Sequence, residues 1–203
     1  MPNGDGMVNV DGFQNLGILS FRDCELTGSL AVWLSKLKKL EVLDMSFNII
    51  TGSVPSWLGT SPSLFHINLG NNRISGELPK QLCELPMLVS EQTAAQVEHT
   101  YLELPFFVKP ASDAYVWQYS SLSFFPPAIY LYNNSINGSI PTEISQLILL
   151  RTLDLSHNNV GGNIPDKISS LEMLETLDLS MNHLSGAFNE PLVRRNPSII
   201  DKP

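Results

Sequence analysis

Cysteine, positive charge and long apolar runs are all scarce in this sequence, and each scarcity excludes a class of protein. The two cysteines, Cys24 and Cys83, are too few for a disulfide framework, and we expect both to be free, buried thiols. A net charge of −8 over 203 residues argues against a nucleic-acid-binding surface. No apolar run approaches the roughly 18 residues of a membrane-spanning helix, and nothing resembles a signal peptide or an anchor. We therefore expect no membrane span in this chain.

Groups that carry catalysis are equally sparse. No Ser/His/Asp set has usable spacing, and the sequence contains no Gly-rich phosphate loop, H-R-D or D-F-G kinase motif. His66 and His157 have no clustered ligands around them, so we expect surface histidines rather than a metal site. The sequence predicts a protein that is not an enzyme and that has no cofactor or metal.

What the sequence has instead is a repeat. Asparagines recur with a period of 24 residues, at Asn48 and Asn72 and again at Asn134, Asn158 and Asn182. Six units fit the pattern L-x-x-L-x-L-x-x-N-x-L-x-G-x-I-P, with Cys24 in the asparagine position of the first. This periodicity is that of a leucine-rich repeat, and it predicts an α/β repeat solenoid. The L-x-L core predicts short parallel strands on the concave face, with leucines inward.

The repeat is interrupted once. The distance from Asn72 to Asn134 is 62 residues, which is one 24-residue period and 38 further residues. A solenoid accommodates such an island insertion only if the chain leaves and re-enters it at the same place. We divide the chain into a flexible tail (1–12), leucine-rich repeats (13–87), an island (88–128), further repeats (129–192) and a tail (193–203). Neither tail resembles a cap, so we expect low stability for the isolated chain.

The G-x-I-P element is typical of plant-type leucine-rich repeats, and here the chain resembles a known family. Gly52-Ser53-Val54-Pro55 and Gly138-Ser139-Ile140-Pro141 are similar to segments of plant receptor-kinase ectodomains. Within the island, Tyr101 to Val108, Gln118-Tyr119 and Pro126 to Leu131 resemble receptors for tyrosine-sulfated peptides, which include the phytosulfokine receptors. The resemblance covers roughly residues 13 to 188 and implies a receptor at the extracellular face of the plasma membrane.

The resemblance also implies a mechanism of binding. In such receptors an extended peptide pairs with an island strand by strand addition, and a receptor-kinase co-receptor is a possible partner. Carried over, this predicts ligand contacts from part of the island, namely Ser112, Ala114, Tyr115, Val116, Gln118 and Tyr119. Lys109 would face a sulfate or would simply be a solvated lysine. The alternative is a truncated soluble leucine-rich repeat interaction protein or decoy without a peptide ligand.

Two further features concern the concave face at the foot of the island. Tyr130 and Tyr132 alternate outward on one strand, and exposed aromatic pairs are unexpected on a merely solvated surface. They either contact a ligand or pack under the island. Asn133 and Asn137 begin glycosylation sequons. Because Asn133 adjoins the repeated asparagine, we expect Asn137 to be the better acceptor.

Overall fold

The computed structural model describes residues 11–96, 106–108, 117–119, 125–185 and 199–200. Most strands are three residues long because only the L-x-L core of each repeat is extended and inward-facing. The strands are β1 (Ile18–Ser20), β2 (Thr27–Gly28), β3 (Val42–Asp44), β4 (Ile49–Ile50), β5 (His66–Asn68), β6 (Ser75–Glu77), β7 (Phe106–Val108), β8 (Trp117–Tyr119), β9 (Ala128–Tyr130), β10 (Ser135–Asn137), β11 (Thr152–Asp154), β12 (Gly161–Asn163), β13 (Thr176–Asp178), β14 (His183–Ser185) and β15 (Ile199–Ile200).

Helical segments lie opposite the strands and are short. Within the described residues six of them are 3-10 helices, at Asp11–Phe13, Val32–Lys36, Ser56–Thr60, Lys80–Glu84, Thr142–Gln146 and Asp166–Ser170. Two α-helices follow the third repeat, α1 (Pro86–Val89) and α2 (Glu91–Gln96). Prolines such as Pro55 and Pro141 precede the 3-10 helices in extended conformation, because their fixed φ angle suits the entry to a helical turn.

Seven strands form one parallel sheet in the order β1-β3-β5-β9-β11-β13-β15, which we call the main sheet. Residues one period apart lie opposite each other, so that Leu19 pairs with Leu43 and Leu153 with Leu177. Leu43 and Leu177 are fully buried. The main sheet is the predicted concave face, and the expectation of short parallel strands with inward leucines is confirmed.

A second set of strand pairs follows the main sheet in each turn, and the sequence pattern did not predict it. Parallel pairs join β2 with β4, β6 with β10, and β12 with β14. At the bend after each of the main strands β1 to β13, a non-glycine residue adopts a positive φ value between 49° and 58°, namely Asp23, Phe47, Asn71, Asn133, His157 and Met181. We call this row of residues the rim. The left-handed backbone turns the chain from the main sheet into the second strand set.

The repeated asparagines form a ladder of hydrogen bonds from repeat to repeat. Asn158 Nδ2 donates to the carbonyl oxygens of Leu131, Leu155 and Ser156 at 3.0–3.1 Å, and its Oδ1 accepts from the Ile136 amide. Asn134 makes the equivalent bonds to Leu69, Leu131 and Tyr132, and its Oδ1 accepts from the Ile74 amide. Each side chain thus satisfies backbone groups that stacking buries at the turn.

The main sheet is continuous across the interruption. Strand β5 pairs directly with β9, and Ile67 lies opposite Ile129, although 62 residues separate them in sequence. Leu88 is fully buried one period beyond Leu64, and its carbonyl accepts a hydrogen bond from the Leu149 amide at 3.0 Å. Leu88 therefore fills the first leucine position of the fourth repeat before the chain departs. The boundaries of the island itself stay a prediction.

Two expectations about the ends and the cysteines need correction. Cys24 is exposed and only Cys83 is buried, although both are free. Cys24 lies in the first repeat, where no described repeat stacks on its outer side. In the C-terminal tail, β15 pairs with β13, so part of the last edge is covered where we expected no cap. Residues 1–10 lie outside the described residues.

Candidate ligand-binding site

Three of the six described strands before β15 in the main sheet carry a carboxylate–serine pair two residues apart on the outward face. In each pair the aspartate Oδ1 accepts bonds from both the amide and the hydroxyl of the following serine, at 2.6–3.0 Å. The pairs are Asp44/Ser46, Asp154/Ser156 and Asp178/Ser180. Burial raises the pKa of the Asp154 carboxyl, while the bonds from Ser156 act in the opposite direction. These polar groups largely satisfy one another and form a polar floor in which Ser46 and Ser156 are buried.

The two strands that flank the interruption depart from this pattern. Asn68 keeps the capping bond, because its Oδ1 accepts from the Gly70 amide at 3.1 Å, but Gly70 has no hydroxyl to add a second one. On β9 the pair is replaced by Tyr130 and Tyr132, which are both half-buried. A phenol ring cannot fold back onto the amide two residues later, so the pair does not satisfy itself as Asp and Ser do.

Tyr132 lies across Gly70. A Cβ atom added to Gly70 would come within 2.3–2.7 Å of three ring carbons of Tyr132, a distance that no side chain tolerates. Burial raises the pKa of the Tyr132 phenol, while a hydrogen bond with the Asn71 side chain and the positive charge of Arg22 act in the opposite direction. Tyr132 thus packs on the scaffold and still presents part of its ring to the concave side. Both roles considered from the sequence are compatible with this placement.

A cluster of rings lies where the chain returns from the island. His66 packs edge-on against Phe125 with ring centroids 5.1 Å apart, and the centroid of Tyr130 is 5.6 Å from that of His66. His66 Nδ1 is 2.9 Å from the carbonyl oxygen of Pro126, which the neutral ring reaches by donating. Our expectation that His66 is a surface histidine is wrong, since only 7% of the residue is exposed. Desolvation lowers its pKa, and the Pro126 contact and Asp44 partly offset this. His157, by contrast, is exposed.

The predicted island contacts are only partly within the described residues. Lys109, Ser112, Ala114, Tyr115 and Val116 lie outside them. Gln118 and Tyr119 belong to β8, which pairs antiparallel with β7 and places Gln118 opposite Phe107. The extended conformation predicted for this run is confirmed over Trp117–Tyr119. Among the described residues, β8 pairs along one edge only.

The two sequon asparagines differ in their surroundings. The Asn133 amide nitrogen donates to Asn71 Oδ1, and its backbone is left-handed with φ 49°. Asn137 is exposed on β10, opposite Glu77 in the second strand set. Since a glycan is attached through the amide nitrogen, the contact with Asn71 competes with modification of Asn133. This arrangement favours Asn137 as the glycosylation acceptor, and the preference itself stays a prediction.

Arg22 is a feature that the repeat pattern did not single out. Its guanidinium carbon lies 4.1 Å from the centroid of the Phe47 ring, and its NH1 donates to Ser46 Oγ at 2.8 Å. Both contacts join side chains of neighbouring repeats at one end of the concave face. Their signal in the sequence is the spacing of 24 between Arg22 and Ser46, which places both on one row.

Two groups of features that would indicate other functions are not observed among the described residues. No three side chains of His, Cys, Asp or Glu are grouped so that they could hold a metal ion. No helix in the described ranges has the length and apolar character needed to cross a bilayer.

Comparison with known proteins identifies relatives of two kinds. Receptor-like protein 3 of Arabidopsis thaliana is 51% identical over 156 residues, which are 77% of this chain and 21% of that protein. Phytosulfokine receptor 2 of Arabidopsis thaliana is 49% identical over 148 residues, covering 73% of this chain and 14% of the receptor. The chain therefore spans about a fifth or less of the length of these relatives.

Solved structures agree with the fold. The crystal structure of the ectodomain of the Arabidopsis thaliana receptor kinase GASSHO1/SCHENGEN3, in complex with CASPARIAN STRIP INTEGRITY FACTOR 2, superposes with a TM-score of 0.63. The sequence identity is 24%, and the match covers 87% of this chain and 17% of that ectodomain. At this identity the likeness establishes the solenoid alone.

The repeats themselves match a family model. The model described as Leucine Rich Repeat matches residues 39–61, 63–85, 128–147, 149–171 and 173–194, which together are more than half of the chain. The gap between the second and third segments coincides with the interruption seen in the main sheet. No enzymatic family is indicated by these matches. The ladder, the seven parallel strands and these five matched segments lead to one conclusion: the chain belongs to the leucine-rich repeat family.

Proposed function

We propose that this chain is a non-enzymatic peptide-recognition module, a segment of a plant receptor ectodomain that binds an extended peptide between the island and the concave face. The observation that carries the proposal is the aromatic break on β9. Tyr130 and Tyr132 replace the self-satisfied Asp–Ser pair only beside the point where the island rejoins the sheet. Half-buried aromatic side chains combine apolar area with a polar tip, as binding surfaces require.

The island supplies the second part of the proposed site. Strand β8 pairs with β7 along one edge, and an extended peptide would add to the other edge, where main-chain bonds give affinity and side-chain contacts select the ligand. In this arrangement Ser112, Ala114, Tyr115, Val116, Gln118 and Tyr119 contact the peptide, and Lys109 faces an acidic group. These island roles are carried over from the resemblance.

The name of one relative and the island motifs support a class of peptide. One of them is named a phytosulfokine receptor, and the island motifs resemble those of receptors for tyrosine-sulfated peptides. We therefore propose a peptide with a sulfated tyrosine as the ligand, an extracellular location at the plasma membrane, and a receptor-kinase co-receptor as the partner of the bound complex.

The test is calorimetric titration of sulfated and unsulfated forms of one tyrosine-containing peptide. We expect the sulfated form to bind more tightly, and Tyr132→Ser, which restores the regular residue of this row, to weaken both forms about tenfold because a buried aromatic contact is lost. Val116→Pro should abolish pairing with the island strand, because proline removes a backbone donor.

The matched control is Met181→Ser, an exposed rim residue two strands away from β9, which should leave binding unchanged. Equal affinity for the two peptide forms would remove the sulfated ligand from the proposal. Insensitivity to both Tyr132→Ser and Val116→Pro would remove the peptide site as a whole and leave a repeat scaffold.

A further inference from the structure

Arg22 is distinctive in charge. The residues two positions after the strands β1 to β13 of the main sheet form one outward-facing row. This row contains Arg22, Ser46, Gly70, Tyr132, Ser156 and Ser180. Among these described positions Arg22 is the single basic side chain, in a chain of net charge −8. A lone cation on an otherwise neutral or acidic face needs either a structural or a recognition role.

The contacts of Arg22 hold it without neutralising it. Phe47 supports the face of the guanidinium, and Ser46 Oγ accepts one of its N–H groups at 2.8 Å. Ser46 in turn donates to Asp44 at 2.6 Å, so the serine stands between the arginine and the Asp44 carboxylate. In the described part of the chain Arg22 forms no ion pair. A guanidinium has five N–H donors in a planar fork, and here one of them is bonded to the protein through NH1.

This geometry suits an oxyanion. Arginine binds carboxylate, sulfate and phosphate groups by parallel N–H bonds from one edge of the fork. The stacked Phe47 ring fixes the plane of the guanidinium, so less rotamer freedom is lost when the anion binds. Arg22 is half-buried, which strengthens the interaction relative to a fully solvated lysine.

The distance to the aromatic break defines a spacing along the ligand. Strands β1, β3, β5 and β9 are consecutive neighbours in the main sheet, and adjacent strands lie about 4.8 Å apart. The base of Arg22 is therefore about 14 Å from the base of Tyr132, but the two side chains lean toward each other. The guanidinium contacts Phe47 and Ser46, just after β3. The Tyr132 ring lies over Gly70, just after β5, and the charge of Arg22 acts on the Tyr132 phenol. The two binding groups are thus about one strand spacing apart, about 5 Å, which one or two extended residues cover at about 3.3 Å each.

We propose that Arg22 is an oxyanion subsite of the concave face, which binds a carboxylate or sulfate of the peptide one or two residues away from the segment over Tyr132. The inference rests on the proposed peptide-binding function and adds the register of the ligand on the face. Phe47 and Ser46 are positioning residues for the guanidinium. The peptide's anionic group takes the remaining donors of the fork.

The test uses a defined set of capped ten-residue peptides. Each has one tyrosine and, one to seven residues away, either an aspartate or a sulfotyrosine, with asparagine or tyrosine as the neutral counterpart. Binding to the full chain is measured by fluorescence anisotropy. We expect an optimum at a spacing of one or two residues, and a loss of about tenfold or more for the anionic peptides in Arg22→Gln, as expected when a charge-assisted pair is removed. The neutral peptides should bind wild type and variant equally.

Comparison of the aspartate and sulfotyrosine series identifies which oxyanion the subsite prefers. Arg73→Gln is the matched control, because it removes the same charge from an exposed position beyond the concave strand. Equal losses in the two variants, or equal losses for anionic and neutral peptides, would overturn the subsite while leaving peptide binding intact. If no peptide binds wild type, the proposed function falls and the subsite falls with it. Arg22→Lys should retain part of the preference for anions, which a purely structural arginine would not show.

Discussion

The regular strands of the main sheet and the two strands at the interruption share a backbone but differ in what their outward residues do. At Asp44/Ser46, Asp154/Ser156 and Asp178/Ser180 the side chains bond to each other. At the interruption, the Tyr132 ring packs instead against Gly70, which follows the neighbouring strand. The inward residues and the ladder are the same in both regions. The scaffold therefore tolerates a change of surface chemistry because its stability is supplied from the other side of the strand.

The difference also shows that departures from a repeat pattern can be coupled. Serine is the regular residue in the row of Gly70, at Ser46, Ser156 and Ser180. Glycine at this position leaves room for the Tyr132 ring, which a Cβ atom would displace. Two residues that each look like a local irregularity thus form one structural unit, although 62 positions separate them.

The largest effect that would test this comparison comes from the ladder, which both regions share. Asn134→Ala and Asn158→Ala should each lower the free energy of unfolding by about 3 kcal/mol, because buried carbonyls and an amide lose their partners. Urea denaturation monitored by circular dichroism measures the loss. Asn159→Ala, at an exposed neighbour, is the control. A much smaller loss for Asn134 than for Asn158 would mean that the interruption weakens the scaffold.

An intermediate effect is expected for Gly70→Ser. The added Cβ must displace the Tyr132 ring, at a cost of about 1–3 kcal/mol, as for other overpacked sites. In Gly70→Ser/Tyr132→Ser the clash is absent, so the double variant should be more stable than Gly70→Ser alone, and a double-mutant cycle measures the coupling. Ser156→Gly, the reverse change on a regular strand, should show no coupling to Tyr132. Additive effects of the substitutions at Gly70 and Tyr132 would show that the two residues are not energetically coupled.

The smallest effect concerns pH and the ring cluster at the return of the island. Burial lowers the pKa of His66 below its usual 6.5, so the unfolded chain takes up a proton before the folded chain does. The contribution of His66 to stability is therefore fully present above about pH 6.5 and declines as the pH falls below it. Denaturation midpoints between pH 7.5 and 5 should fall less in His66→Phe than in wild type. His183→Gln, at an exposed position, should follow wild type, and identical curves for all three would contradict the assignment.

The elements that the sequence predicts well are those encoded by residues close in the chain. The spacing of leucines and asparagines predicts the strands, the ladder and, through the conserved phase on both sides, the pairing of β5 with β9. The contact of Arg22 with Phe47, the fit of Tyr132 on Gly70 and the burial of His66 depend on lateral packing between repeats. A repeat pattern does not specify such packing. Cys24 is exposed for a related reason, since its repeat is the first one described and is covered on one side only.

The placement of Leu88 has a consequence for how such proteins can diversify. The chain fills one leucine position of the stack with Leu88, and after the island the Ala128 amide donates to the Phe65 carbonyl at 3.0 Å, so the chain is bonded to the stack again in the same repeat. The number of residues in the island therefore has no influence on the stacking of the repeats before and after it. In evolutionary terms the island is exchangeable: its length and sequence can vary from one protein to another while the stacked repeats keep their geometry.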